Sequence, residues 1–293
     1  MERFTAARSL LFVPGDVPRK LTRAWESSAD GIIADLEDAV LPDRKDFARK
    51  LVLDSLPNAG PATLRIVRVN GTETAWGADD LAALDGAPLD AIMMPKATMQ
   101  SLARLPDGDV PVIALVETAA GLRQAYDIAC HPRVHALALG AADLGAELRW
   151  QPRTDGLELL HARSALVLDS AAAGVRPPFD AVHLSTRDLA GLKQEAHLAR
   201  SLGLGGKACV HPSQVGVVNE AFSPSEQEIR AAREVIDVFD AAVAEGGSAV
   251  AAVRGRVVDA PVAAQARIVW RTAELLGLTP ASNRVRHSEE GTR

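Results

Sequence analysis

Residues 31–38 read Gly-Ile-Ile-Ala-Asp-Leu-Glu-Asp, and residues 111–117 read Pro-Val-Ile-Ala-Leu-Val-Glu. Each is a short apolar run that stops on a carboxylate. Runs of this kind suit strands buried on both faces of a parallel sheet. Two more stretches repeat the pattern: Thr-Leu-Arg-Ile-Val-Arg-Val-Asn at 63–70, closing on Arg68 and Asn70, and His-Ala-Leu-Ala-Leu-Gly-Ala-Ala-Asp at 135–143, closing on Asp143. One charged strand end is readily a helix cap or a solvated loop. Four in one chain point to a (β/α)8 TIM barrel, which presents its chemistry at the C-terminal ends of its strands.

Working outward, candidate strands lie near 9–13, 31–36, 64–69, 90–94, 111–116, 135–140, 180–184 and 207–210. Helical patterns separate them, for example at 19–27, 43–53, 122–129, 157–173 and 187–202. Alternation of strand and helix argues for an α/β fold with a parallel sheet, and eight such units argue for closure. No Gly-x-Gly-x-x-Gly follows the first strand, which disfavours a dinucleotide-binding sheet. A barrel domain is therefore expected over 1–222. A C-terminal helical and hairpin extension is expected over 223–279, as a lid or oligomerisation element. Within it the sequence predicts a helix at 224–244, with Ser223 as N-cap and Pro224 in its first turn. A break at Gly246-Gly247, a hairpin-like stretch at 248–258 and a second helix at 261–276 follow. Residues 280–293 are polar and are expected to fray as a disordered tail.

The bulk numbers narrow the class. The chain has 293 residues, 47% hydrophobic and 24% charged, with a net charge of −6, which is ordinary globular composition. A core of that size needs no disulfide or structural metal. Cys130 and Cys209 show no ligand spacing and read as buried free thiols in a reducing compartment. Basic residues are scattered, so no nucleic-acid footprint is present. The first apolar strand begins without signal-peptide organisation, and no apolar stretch reaches the roughly 20 residues that span a bilayer. A cytoplasmic protein with no membrane or nucleic-acid partner is expected.

Period-2 alternation puts Ile113, Leu115 and Glu117 on one face of strand five. Strand six offers Leu137, Leu139, Ala141 and, just beyond, Asp143. Carboxylates on neighbouring strand ends can together hold Mg2+ (or Mn2+), which often takes only one or two protein carboxylates. No His cluster has zinc spacing, so an oxygen-seeking ion is the better match. Arg68 shares its face with Leu64, Ile66 and Asn70, and a guanidinium there needs an anionic partner. That partner is a substrate carboxylate, matched to its planar fork, or an internal one, Glu37 or Asp35. Glu37 and Asp38 suit a supporting role beside the metal or Arg68, and Asp35 a structural one. Lys96 ends strand four and could bind phosphate or cap the sheet edge. His211-Pro212-Ser213 reads as a general base or as strand-to-helix punctuation.

These segments, in this order, resemble the citrate lyase β-subunit-like family of the HpcH/HpaI aldolase superfamily. The matching pieces are Arg-Ser-Leu-Leu-Phe-Val-Pro-Gly at 8–15, Asp-Leu-Glu-Asp-Ala-Val at 35–40, Val-Arg-Val-Asn at 67–70 and Leu-Val-Glu-Thr at 115–118. Leu-Gly-Ala-Ala-Asp at 139–143, Val-His-Pro-Ser-Gln at 210–214 and Val-Val-Asp-Ala-Pro at 257–261 continue the series. The resemblance spans residues 8 to 277. It implies a Mg2+-dependent carbon–carbon lyase acting on a citryl-, malyl- or citramalyl-CoA thioester, releasing a 2-oxo acid and an acyl-CoA, from homotrimers or hexamers. It also implies Glu117 and Asp143 as metal ligands, Arg68 as the clamp on the substrate carboxylate, and Glu37 and Asp38 as supporting acids. Asp259, in the extension, would act as acid/base in the next subunit's site. Alternatives within the same resemblance are a CoA-independent aldolase releasing pyruvate, and a citrate lyase complex subunit using a carrier-protein thioester. Two departures stand out. Ala142 occupies a position usually held by Glu, and Val17 one often held by Arg, which leaves Arg19, Lys20 or Lys96 to meet the CoA phosphates.

Overall fold

Short, doubly buried strands form where the apolar runs lie, and they close on themselves. The structure, a computed structural model, describes residues 2–244, 251–253 and 255–279. Its parallel strands are β1 (Ser9–Pro14), β2 (Gly31–Asp35), β3 (Leu64–Arg68), β4 (Ala91–Met94), β5 (Val112–Val116), β6 (Val134–Leu139), β7 (Phe179–Asp180) and β8 (Gly206–Cys209). They form a closed barrel in chain order, sealed where Leu10 of β1 stands opposite Ala208 of β8. Every residue of β2 and β5 is buried. Side chains alternate between two cores: Leu10, Ile33, Ile66, Met93, Ile113 and Phe179 fill the interior, while Val67, Ile92 and Ala114 face the surrounding helices. This is the expected (β/α)8 barrel.

Two strands differ from expectation. In β6 the inward residues are Ala136 and Ala138, and Leu137 and Leu139 pack outward, so the predicted phase is one residue out. The register with β5 skips His135, with Val112 opposite Val134 and Ile113 opposite Ala136. The small residues face the interior, where they leave room for a cavity; the large ones cover the helices. The seventh strand is only Phe179–Asp180, so it starts one residue before the predicted run at 180–184 and keeps just Asp180 of it. Its continuation gives its carbonyls to side chains: Lys207 Nζ donates to Ala181 O at 2.6 Å, and Gln214 Nε2 to His183 O at 2.8 Å.

The helix predicted over 122–129 is two short ones, Ala119–Arg123 and Ala125–Ala129. Cys209 is buried as expected, whereas Cys130 is exposed, because it caps the end of the second of these helices. Among the described residues no helix is long and apolar enough to cross a membrane.

The chain divides into two units after Phe222. The second contains a helix at Glu226–Ala244, an antiparallel pair β9 (Ala251–Val253) and β10 (Arg256–Val258), and a helix at Ala260–Leu275. Its first helix starts two residues later than expected. Ser225 rather than Ser223 opens it: its hydroxyl accepts from the Glu228 amide at 3.2 Å, and the Glu228 carboxylate accepts back from the Ser225 amide at 2.7 Å, a reciprocal cap. Ala232, Ile236 and Ala266 join the two helices of this unit. The predicted Gly246-Gly247 break, the start of the hairpin at 248–250 and the tail at 280–293 lie outside the described residues.

Candidate active site

Charge appears where the interior core ends, at the C-terminal rim of the barrel. Arg68 is the last residue of β3 and continues the inward face of Leu64 and Ile66. Its Nε and Nη2 donate to Asp35 Oδ1 and Oδ2 at 2.7 and 2.6 Å. Its Nη1 lies 2.9 Å from Glu37 Oε2 without hydrogen-bond alignment, and the Phe12 ring sits 5.0 Å from the guanidinium carbon. Of the internal partners the sequence offered, Asp35 takes Arg68 with two hydrogen bonds and Glu37 lies beside it. A guanidinium carries five N–H donors, so Nη1 and Nη2 still have donors to offer a second anion. Burial opposes the charge on Arg68, but the Asp35 hydrogen bonds and field outweigh it and its pKa is raised. Asp35 also accepts the amides of Glu37 and Ala39, which pins the loop carrying Glu37 and Asp38.

Asn70 does not stay on the face of Arg68. It leaves the strand and bonds Lys45, the Leu36 carbonyl and Asp80, joining the helices outside the barrel at Lys45–Ser55 and Ala75–Ala83. Buried Lys45 also donates to the carbonyls of Leu36 and Glu37, at 2.7 and 2.8 Å. This bracket behind the acidic loop was not anticipated. Its signal was an unpaired-looking Asn at a strand end.

Glu117 follows β5 and is 2% exposed. Its Oε1 accepts the Lys96 amide at 2.8 Å. Burial pushes its pKa up to about 8, with help from Glu37 and Asp143, against the Lys96 amide and Arg68. The chain after β6 comes so close that a Cβ on Gly140 would lie 2.4 Å from the Glu117 Cβ; only glycine fits there. Asp143 is half-buried and lies in the first turn of the helix Ala141–Leu148. Strand alternation does not deliver it, as the sequence suggested; the helix start does. Glu37 is buried and its pKa is raised, chiefly by burial, with Arg68 and Lys96 opposing. Asp38 is mostly exposed, 4.0 Å from Arg68 Nη1.

Asp35, Asp38, Arg68, Glu117 and Asp143 border one cavity of about 380 Å³, whose deeper wall is apolar: Met93, Leu115, Ala138 and Phe179. Among the described residues no group of three or more His, Cys, Asp or Glu is arranged for a metal. The fit is to an ion content with two carboxylates, and an acid raised to about 8 by burial, with neighbouring acids adding to it, is a place where a cation is favourable. Mg2+ meets both conditions.

The remaining predicted residues are placed as follows. Lys96 directs its ammonium to Glu37 Oε1 at 2.9 Å. Arg19 is exposed in the helix Pro18–Trp25. His211 is exposed and its Nδ1 lies 2.8 Å from Ser213 Oγ, the geometry of punctuation before the helix Pro212–Phe222. Asp259 is the N-cap of the helix Ala260–Leu275, its carboxylate accepting the Val262 amide at 3.1 Å. It therefore has a role in the fold, which its place between predicted elements did not suggest. A second buried ionic cluster also went unpredicted: Arg163 and Lys207 both bond Asp180 and Glu195. A lysine within apolar β8 was its signal, by the same logic that singled out Arg68.

Residues 8–212 match the family described as HpcH/HpaI aldolase/citrate lyase. A (3S)-malyl-CoA thioesterase of Cereibacter sphaeroides is 39% identical over 280 residues, 94% of this chain and 97% of that protein. The citrate lyase subunit beta of Escherichia coli is 33% identical, covering 92% of this chain and 94% of its own length. The crystal structure of CitE from Mycobacterium tuberculosis in complex with magnesium, acetoacetate and coenzyme A superposes with a TM-score of 0.78 at 36% identity, covering 92% of this chain and 99% of that one. The chain thus belongs to the HpcH/HpaI aldolase/citrate lyase family, a family of lyases.

Proposed function

We propose that the protein is a Mg2+-dependent carbon–carbon lyase that cleaves a β-hydroxyacyl-CoA, of the malyl, citramalyl or citryl type, into a 2-oxo acid and an acyl-CoA. The observation that carries this reading is one cavity bordered by the Arg68 guanidinium and by the carboxylates of Glu117 and Asp143. The magnesium bound to a relative's structure, together with its coenzyme A, supports it.

Glu117 and Asp143 would hold the ion, which supplies Lewis-acid polarisation of the oxygen that becomes the oxo group. Arg68 uses the donors left on Nη1 and Nη2 to fix the adjacent carboxylate. Asp35 keeps the guanidinium plane in place while it does so. In cleavage the hydroxyl gives its proton to the acid/base, the carbon–carbon bond breaks, and the acid/base returns a proton to the carbon of the departing thioester enolate. Met93, Leu115 and Ala138 present an apolar wall that limits water near that enolate. Arg19 and Lys20, on an exposed helical turn, are proposed to meet the CoA phosphates.

Incubating malyl-, citramalyl- and citryl-CoA with enzyme and Mg2+ tests the reaction, provided oxo acid and free thiol are both measured. Oxo acid formed without free thiol is expected. Free thiol with a hydroxy acid would instead establish thioester hydrolysis, the second reading, which the name of the malyl-CoA thioesterase favours. Turnover of free hydroxy acids as fast as their thioesters would establish the CoA-independent aldolase.

The proton donor is proposed to be Asp259, reaching a neighbouring subunit's site in a homotrimer or hexamer. Its cap role makes the choice of variant matter. Asp259→Asn keeps a good N-cap and removes the acid, so turnover should fall by roughly 10²-fold or more while Mg2+ binding is retained. Mixing it with a Glu117→Ala variant under subunit exchange should restore part of the activity. Full activity in Asp259→Asn would reduce Asp259 to a helix cap, and absence of recovery despite exchange would place it in its own subunit's site.

A further inference from the structure

Lys96 follows β4 and Pro95 with its backbone at φ 45, a left-handed conformation that residues bearing a Cβ seldom adopt. The turn around it is tightly determined. The Ala97 amide donates to the Leu115 carbonyl at 3.0 Å. Thr98 and Ser101 form a capping box for the helix Met99–Leu102. Gly121 packs so closely that a Cβ there would lie 2.6 Å from the Ala97 carbonyl oxygen. Strain held by such surroundings is a feature of functional sites.

The conformation has two products. It aims the Lys96 amide at Glu117 Oε1, 2.8 Å away, which fixes one carboxylate oxygen and leaves Oε2 to a ligand. It also sends the ammonium to Glu37 Oε1 at 2.9 Å, while the other oxygen of Glu37 faces Arg68 Nη1. A glycine would adopt this backbone with less strain, so the contribution particular to lysine is the ammonium.

We infer that Lys96 is a positioning residue that joins the two halves of the site: its amide orients Glu117 for the metal, and its ammonium restrains Glu37 from competing for Arg68. With Oε1 held on Lys96, Glu37 meets Arg68 through one oxygen only. Without the ammonium, both Glu37 oxygens can turn to the guanidinium and occupy the donors that an incoming carboxylate needs. The inference rests on the proposed roles of Glu117 and Arg68.

Calorimetric titration of the full chain with Mg2+, and with pyruvate at saturating Mg2+, separates the two contributions. Lys96→Gly retains the amide and the turn but loses the ammonium. Its Mg2+ affinity should stay within about threefold of the original protein, while pyruvate binding weakens about tenfold, the scale of one charged contact. Lys96→Arg should recover most of the pyruvate affinity. Lys96→Val, whose branched side chain resists a positive φ, should shift the amide and weaken Mg2+ binding about tenfold or more. Unchanged pyruvate binding in Lys96→Gly overturns the ammonium role, and unchanged Mg2+ binding in a folded Lys96→Val overturns the amide role. An original protein that binds neither probe overturns the functional reading, and this inference with it.

Discussion

Metal-free protein should lose stability as pH rises from about 4.5 to about 8, and Glu117→Gln should remove most of that loss together with Mg2+ binding. The folded carboxyl titrates near 8 because burial disfavours its charge, whereas in the unfolded chain it titrates near 4.5. Between those values the folded state holds a proton that the unfolded state has released. Raising the pH therefore favours unfolding, by up to about 1.4 kcal/mol per pH unit, until Glu117 ionises in the folded state as well. Glu37, also raised by burial, adds in the same direction. Arg176, lowered to about 9, and Cys209, raised to about 12, titrate above this window. Denaturation midpoints at pH 6 and 8.5 measure the difference. Saturating Mg2+ should restore stability at the higher pH only in the protein that keeps Glu117. Identical pH profiles for the original protein and Glu117→Gln would remove the raised pKa of Glu117, and equal Mg2+ affinity would remove Glu117 from the metal site.

The same physics explains how much could be read from the sequence. Strand positions were legible because a strand covered on both faces is mostly apolar, and four of the runs were punctuated by charge at one end. The phase of β6 was not legible. Alternation leading to Asp143 put Leu137 and Leu139 on the inward face, but Asp143 belongs to the following helix; Ala136 and Ala138 face the interior, and the larger residues cover helices. Nor could the length of β7 be foreseen, since its end is decided by Lys207 and Gln214 reaching from later elements to claim its carbonyls.

The candidate site shows a similar division. Arg68, Glu37 and Glu117 stood out individually because each is a charge that closes an apolar run. Their partners did not, because partnership is a matter of geometry. Asp35 looked merely structural, yet it determines which edge of Arg68 remains for a ligand. Lys96 suggested a phosphate contact by its charge, but its backbone conformation, invisible to residue type, joins it to two carboxylates at once. Asp259 suggested an acid with nothing to do in the fold, and a side-chain cap is a local geometry that a preceding hairpin obscures.

Arg68 carries a structural and a functional role in one side chain, and the two should separate in a double variant. Arg68→Met leaves Asp35, 1% exposed, without the cation that holds both its oxygens, and leaves Glu37, 7% exposed, with the Lys96 ammonium alone. Breaking a buried pair by removing one partner costs about 3–5 kcal/mol, so a large fall in stability is expected. Adding Asp35→Asn removes the stranded charge while keeping an acceptor for the Glu37 or Ala39 amide, and should return a substantial part of that stability. Pyruvate binding should not return with it. The donors on Nη1 and Nη2 are absent from both variants, and the loss of charged hydrogen bonds worth about 1.5–3 kcal/mol weakens binding roughly 10- to 100-fold. Arg68→Lys offers an intermediate case. It keeps a positive charge near Asp35 but cannot present the planar fork to two carboxylates, so stability should fall less than binding. The decisive comparison is the double variant against Arg68→Met: stability recovering while pyruvate affinity stays low assigns the clamp to Arg68. Pyruvate binding that recovers in step with stability would mean that the guanidinium only completes the barrel rim, and that the oxo acid is held by other groups.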